Sequence, residues 1–313
     1  MHWRAKGVVQ KLLGHVPGGE RAHYLLQRRF GGLRGFTREF DIKMDDWRLM
    51  VGHLRDAGVP IAGARLFEIG SGWYPTFPFA CYLGGARQVI TVDLNRHIKP
   101  ELVRDCADNL ARHVSLIADA CGVPEDEVRE RQQQLAARLR GSDEVGAATD
   151  GVVVYDAPAD ASRTSLPAQQ LDCVFSNSVL EHVLPDAVDA IYREALRILA
   201  PGGVMFHSVN CGDHYAYVDR NINQLNYLRY SDREWRRWDN DFLYQNRMRA
   251  FEFVERAVAQ GFDIVLNTEC AREKRLAELA QMPVHPQFAH IPPERLCVTS
   301  IDFIGRKLAG WAT

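Results

Sequence analysis

The chain has 313 residues, 46% of them hydrophobic and 25% charged, a mix that supports a sizeable core and excludes disorder as the main state. Its 38 basic and 40 acidic side chains leave a net charge of −2, which excludes a protein that lives on bulk attraction to nucleic acid. No apolar run reaches the roughly 18 residues needed to cross a bilayer. The N-terminus leads into no apolar stretch of signal-peptide type, so a cytoplasmic protein without a membrane span is expected.

Residues 1–60 read as helical, broken by Gly18-Gly19 and Gly31-Gly32. Phe40, Met44, Trp47, Met50, Val51 and Leu54 recur at helical spacing, and Gly58 and Pro60 close that helix. The stripe reads as core packing, with the helix covering the sheet or walling a pocket. Short apolar runs then alternate with helical stretches, the rhythm of a mainly parallel sheet with crossover helices. The expected strands are 65–69, 88–92, 151–155, 171–176, 203–209, 262–266 and 295–304. Between the second and third, Pro124 and the acids at 125–127 start a helix that runs through Leu139 and stops at Gly141. One crossover helix would suffice there, so the insert is expected to be an extra helical pair. A second insert, at about 210–250, holds Tyr215, Tyr217, Tyr227, Tyr230, Trp235, Trp238, Phe242 and Tyr244.

Of the 38 basic residues 32 are arginine. GC-rich coding accounts for that, with bidentate recognition of carboxylate or phosphate as the sharper alternative. The seven cysteines (81, 106, 121, 173, 211, 270 and 297) form no Cys-x-x-Cys pair, and the histidines form no His-Glu-x-x-His cluster. Reduced thiols and no metal are therefore expected.

The first strand runs into Glu68-Ile69-Gly70-Ser71-Gly72. A strand, a Gly-x-Gly turn and a helix start bring main chain close to a nucleotide cofactor. Pro75 replaces the third glycine of the dinucleotide fingerprint and, with Pro78 and Trp73, makes a poor diphosphate cradle. An acid near the loop suits a cationic ligand instead, one with an ammonium and a sulfonium. Asp93, at the end of the second strand, stands where a carboxylate accepts both hydroxyls of a ribose. The fourth strand delivers Ser176-Asn177-Ser178-Val179-Leu180-Glu181-His182-Val183 to the same sheet edge, and Leu199-Ala200-Pro201-Gly202-Gly203 opens the fifth.

These four ordered motifs, spread over about residues 60–210, resemble those of class I S-adenosylmethionine-dependent methyltransferases, closest to the group whose fourth motif ends in Leu-Glu-His. The resemblance implies an α/β fold: a Rossmann-like seven-stranded mixed sheet with a helical N-terminal segment (1–60) and a methyltransferase domain (61–313). Its inserts fall at about 100–145 and 210–250, the second a helical, aromatic cap. Gly212-Asp213-His214-Tyr215, Leu228-Arg229-Tyr230-Ser231 and Tyr244-Gln245-Asn246-Arg247-Met248-Arg249 further resemble bacterial methyltransferases of surface-polysaccharide or secondary-metabolite clusters.

The implied cofactor is S-adenosyl-L-methionine, giving S-adenosyl-L-homocysteine, with no metal. Glu68, Gly70, Ser71 and Gly72 would line its methionine end. Asp93 and Leu94 would meet the ribose, Asp160 and Ala161 (or Asp156) the adenine, and Asn177 and Ser178 the sulfonium. A hydroxyl acceptor would need a base; His182 and His214 are equal candidates and His207 a lesser one. Tyr215, Arg229, Tyr230, Asn246 and Arg247 would face the substrate. The expected reaction is methyl transfer to a small molecule, most simply an oxygen of a sugar or secondary metabolite, by a monomer or homodimer with no nucleic-acid partner. The alternatives are N- or S-methylation of an amino-acid-like compound, a non-catalytic cofactor-binding subunit, and a dinucleotide oxidoreductase, which Pro75 disfavours.

Overall fold

The computed structural model describes residues 2–14, 36–239 and 244–308. The glycine pairs at 18–19 and 31–32, and Phe242, lie outside these residues. The helices are α1 (Trp3–Gly14), α2 (Phe36–Asp56), α3 (Thr76–Leu83), α4 (Pro100–Leu110), α5 (Val114–Cys121), α6 (Glu125–Leu139), α7 (Pro185–Ile198), α8 (Ala250–Ala259) and α9 (Glu273–Ala280). Shorter helical turns lie at Val145–Ala148, Asp232–Trp235 and Pro293–Leu296. The strands are β1 (Arg65–Ile69), β2 (Gln88–Val92), β3 (Val153–Asp156), β4 (Leu171–Asn177), β5 (Leu199–Val209), β6 (Phe262–Asn267) and β7 (Ile301–Lys307). They form one sheet in the order β3-β2-β1-β4-β5-β7-β6, parallel from β3 to β5, with β7 antiparallel to both its neighbours. This is the seven-stranded mixed sheet of the class I methyltransferase fold.

Side chains along each strand alternate between the two faces. Leu66, Val89, Cys173, Phe175, Val204 and Phe206 pack into one core with α2 to α6. Phe67, Val92, Val174, Met205 and Phe303 pack into the other with α7 and α8. The α2 stripe is buried at all six expected positions, and Trp47 Nε1 donates to Cys81 Sγ on α3 at 3.3 Å. Gly58, at φ +78°, takes the left-handed turn that ends the helix.

Three expectations shift. Strand β5 starts at Leu199, earlier than Gly203, because Pro201-Gly202 is absorbed as an irregularity in its register with β4. Strand β7 starts at Ile301, because Pro292 and Pro293 begin a helical turn where strand was expected. Strand β3 runs Val153–Asp156 rather than 151–155, because Gly151, at φ +78°, still belongs to the preceding turn; the three helices between β2 and β3 are a crossover and the expected extra pair.

A third, smaller core joins α1 to the second insert: Trp3, Tyr215, Leu225, Tyr227, Leu228 and Trp235 with Leu279, Phe288 and Leu296. The Trp3 ring lies 5.0–5.9 Å from those of Tyr215, Tyr230, Trp235 and Trp238, and its main-chain N donates to Asp219 Oδ2 at 2.9 Å. No helix among the described residues is long and apolar enough to cross a membrane.

Trp3 is the anchor of α1, and a buried tryptophan truncated to alanine costs about 3–5 kcal/mol. Trp3→Ala should therefore release α1 from the insert. Hydrogen exchange should accelerate across residues 3–14 while β1, β4 and β5 keep their protection. Unchanged exchange in α1 would show that other contacts dock it.

Candidate active site

Strands β1, β2, β4 and β5 end at one sheet edge, and the residues following them build the site. Gly70 (φ +86°) and Gly72 (φ +64°) turn the chain sharply after β1. A Cβ on Gly70 would come within 2.5 Å of Val179 Cγ2, so only glycine admits this approach to the turn after β4; a Cβ on Gly72 would meet nothing within 4 Å. The Gly72 amide donates to Asp93 Oδ2 at 3.1 Å, and Asn95 N to Asp93 Oδ1 at 3.3 Å. These bonds aim the Asp93 carboxylate and leave it acceptor capacity. Leu94 beside it is exposed.

Glu68 is buried beneath the loop, where Thr91 Oγ1 donates to it and stands 2.5 Å from Ser71 Oγ. Burial pushes its carboxyl up to about 7, against the opposing pull of Thr91 and Lys43. Lys43 comes from α2, where it also covers the Tyr74 ring. One helical turn on, Asp46 accepts from Asn177 Nδ2 at 3.5 Å, and burial raises its pKa. Thus α2 contributes Lys43 and Asp46 as a polar wall, which the reading of its apolar stripe missed. The i, i+3 spacing of these two residues was the available signal.

Asp160 accepts from Ser162 N and Oγ at 2.8 and 2.7 Å, and Ala161 is buried against the α7 side of the sheet. Asp156 ends β3 opposite Val92. Ser178 holds a left-handed φ of +54°, and its N donates to Ser208 O at 2.9 Å.

His182 and His214 meet, with ring centroids 5.0 Å apart. His182 is exposed, and its Nδ1–H donates to Tyr244 O at 2.6 Å, which leaves Nε2 as the acceptor nitrogen. His214 is half-buried, and its Nε2 has no partner among the described residues. Burial lowers both imidazoles, His214 to about 3, helped there by His182 and Lys6. Glu181, 1% exposed, lies beside them. Neither of its oxygens has a partner in hydrogen-bonding geometry among the described residues. Burial pushes Glu181 up to about 8, opposed by the main-chain amides of Glu181 and Asn210. His207 is buried within the sheet, with Nδ1 2.7 Å from Ser176 Oγ, and burial lowers it to about 3.

The residues expected at the substrate divide. Asn246 Nδ2 donates to Leu180 O and Val183 O, both at 2.7 Å, and its N donates to Glu181 O at 2.7 Å. It clamps the Leu-Glu-His turn. Arg247 pairs with Asp232 and donates to Tyr227 O at 2.9 Å and Tyr230 O at 2.5 Å. Tyr215 is buried and donates to Trp238 O at 2.9 Å. Tyr230 is half-buried against Trp3, and Arg229 is exposed. Sequence reading also missed Gln245, which accepts from His214 N at 3.1 Å and donates to Gly212 O at 2.6 Å.

Residues 131–207 match a family model described as a methyltransferase domain. The matched segment runs from α6 through the Leu-Glu-His turn into β5, and the strand order is that of the class I fold. Over these residues the chain matches a methyltransferase domain, and its sheet is that of the class I S-adenosylmethionine-dependent methyltransferase fold. No curated protein matches it. Among solved structures it is similar to an S-adenosylmethionine-dependent methyltransferase from Mesorhizobium loti (17% identity, 81% of this chain and 95% of that one, TM-score 0.43). It is also similar to an enzyme of the same description from Methanosarcina mazei (15% identity, 78% and 92%, TM-score 0.42). A third is geranyl diphosphate C-methyltransferase from Streptomyces coelicolor A3(2), in complex with Mg2+, geranyl diphosphate and S-adenosyl-L-homocysteine (13% identity, 83% and 80%, TM-score 0.44).

The residues at the sheet edge fit the methyl donor. Asp93 is an aimed strand-end carboxylate, and Gly72 leaves open space beside it. Glu68 is a buried acid that accepts from the Thr91 hydroxyl, which suits the approach of a cation.

The raised Glu68 carboxyl makes stability depend on pH with a definite sign. Between the ordinary carboxylate value of 4.5 and about 7, the folded state keeps a proton that the unfolded state releases, so stability falls as pH rises through that window. Glu68→Gln should abolish this loss and stabilise the fold by roughly 2–3 kcal/mol at pH 8 relative to wild type, with little gain near pH 4.5. Urea unfolding at the two pH values checks this. A pH-independent difference would place the carboxyl in an ordinary solvated state.

Proposed function

We infer that the enzyme transfers a methyl group to an oxygen of a small molecule, a sugar or secondary metabolite, as a cytoplasmic biosynthetic enzyme acting as a monomer or homodimer. The observation carrying this reading is the meeting of His182 and His214 beyond the strand ends that carry Gly72, Asp93 and Asn177. An oxygen acceptor must lose a proton, whereas an amine or thioether need not, and polar side chains converge where that proton would leave.

When bound, S-adenosylmethionine supplies an electrophilic methyl on a sulfonium with a neutral leaving group. On this reading Asp93 holds the ribose hydroxyls, with Leu94 alongside. Glu68 and the Gly70-Ser71-Gly72 turn meet the methionine end, and Asp160 and Ala161 the adenine. Asn177 and Ser178 border the reacting centre. Alignment of the acceptor contributes about 7–11 kcal/mol of barrier reduction. The insert, which follows β5, packs with α1 into one aromatic core, which supports its part in excluding water. Among the substrate candidates, Arg229 has the exposure to meet an acidic group. Asn246 and Arg247 act through the main chain they hold, and Tyr215 and Tyr230 through the packing of the cap.

Asp93→Ala should weaken S-adenosylmethionine binding more than tenfold in calorimetry, since each charge-assisted bond is worth about 1.5–3 kcal/mol. A folded variant within about threefold of wild type would remove the ribose assignment. Arg229→Glu should raise the acceptor KM or abolish turnover in a labelled-methyl assay with sugar nucleotides, phenols and amino acids, and leave cofactor affinity unchanged. Equal loss of cofactor binding would place Arg229 in the scaffold instead.

A further inference from the structure

We propose that Glu181, His182 and His214 form a binding site for one divalent transition-metal ion, placed to hold an oxygen of the acceptor. The first two come from the turn after β4 and the third from the segment after β5, so only the fold unites them. One ligand atom from each lies within 4.8 Å of the others. An ion with ligand bonds of about 2.0–2.2 Å holds its ligands at most about 4.4 Å apart, so small side-chain rotations close the set.

The second, independent observation is the state of Glu181. A carboxyl group 1% exposed, acted on by the main-chain amides of Glu181 and Asn210 but in hydrogen-bonding geometry with no partner among the described residues, is costly to ionise, because buried charge is ordinarily paired or bound to metal. His214 adds another buried nitrogen without a partner, Nε2. The Tyr244 carbonyl receives the Nδ1–H of His182, the outer contact that orients a ligating imidazole and leaves Nε2 for the ion. His182 is exposed, which provides an entry path. Lys6 of α1 also acts on His214, and it faces the buried Asp213, whose negative charge offsets it.

Two imidazole nitrogens and one carboxylate favour zinc or iron(II) over the oxygen-loving magnesium and calcium. Three protein ligands leave at least one position open, the arrangement of reactive rather than purely structural metal sites. In that position a hydroxyl oxygen of the acceptor loses its proton more readily. This deepens the oxygen-acceptor reading and rests on it.

The test uses tag-free full-length protein stripped with a chelator and titrated with cobalt(II), read by visible absorption and by elemental analysis after desalting. Wild type should take up one ion per chain. His182→Gln, His214→Gln and Glu181→Gln should each weaken binding at least tenfold, with folding checked by thermal melts. His182 is exposed, so its substitution keeps the test intact even if the Glu181 variant does not fold. A folded wild type that binds no cobalt overturns the site, as does binding that persists unchanged in the folded variants. S-adenosylmethionine calorimetry on the same samples separates the two readings. Cofactor binding without metal overturns only the metal site, and loss of cofactor binding in wild type overturns the methyl-transfer reading itself.

Discussion

The segment from Tyr244 to Arg249 makes no regular ladder, yet it fastens the turns that carry the polar residues of the site. Tyr244 O accepts a hydrogen bond from His182 Nδ1, and Gln245 bonds His214 N and Gly212 O. Asn246 closes on three carbonyls of the Leu-Glu-His turn: Leu180 and Val183 through its side chain, Glu181 through its amide. Arg247 ties down Tyr227 O and Tyr230 O, and the buried Arg249 reaches Cys211 O and Val298 O. Without this rail the turns after β4 and β5 would be independent loops. With it, His182 and His214 share one frame.

The physical need behind the rail is main-chain satisfaction. Where parallel strands end, the chain leaves a regular ladder and its carbonyls face either water or protein. Here the insert and α1 pack an aromatic core around Trp3 and Trp235, and the carbonyls that lose water need side-chain donors. Amides and guanidinium groups are suited to this, because one side chain reaches several acceptors. Each bond is worth about 1 kcal/mol net, and leaving its buried partner unmade costs more. The polar residues of the insert are therefore largely structural in origin, and they set the positions of the few groups left to meet a ligand.

This explains what could be read from sequence and what could not. Apolar alternation and helical spacing register burial directly, so β1 and β2 are found to the residue, and the α2 stripe is buried throughout. Gly70 and Asp93 were legible because a sharp turn and a strand-end carboxylate are local features. The partners of Asn246 and Arg247 were not, because a main-chain carbonyl carries no mark in the sequence. The density of hydrogen-bonding residues in the insert pointed to polar contacts without saying that their partners are the protein's own backbone. Glu181 was passed over for a related reason: next to His182 it reads as part of a motif, and its isolation from donors exists only once the fold has closed around it.

Two buried acids at one sheet edge then invite comparison. Glu68 has Thr91, backed by Ser71, and feels Lys43 from α2, while Glu181 has two imidazoles and no side-chain donor in hydrogen-bonding geometry among the described residues. Burial raises both toward neutrality, so each gains by the arrival of positive charge, but the neighbouring groups select different cations. Around Glu68 the neighbours are the hydroxyls of Thr91 and Ser71 and the glycine turn after β1, which would accommodate an organic cation through hydrogen bonds. Around Glu181 they are nitrogen lone pairs, which coordinate rather than donate. Placed on neighbouring turns of the same edge, the two acids mark where the donor's charge and the acceptor's oxygen would be received, and the clamp of Asn246 on residues 180–183 keeps these places apart.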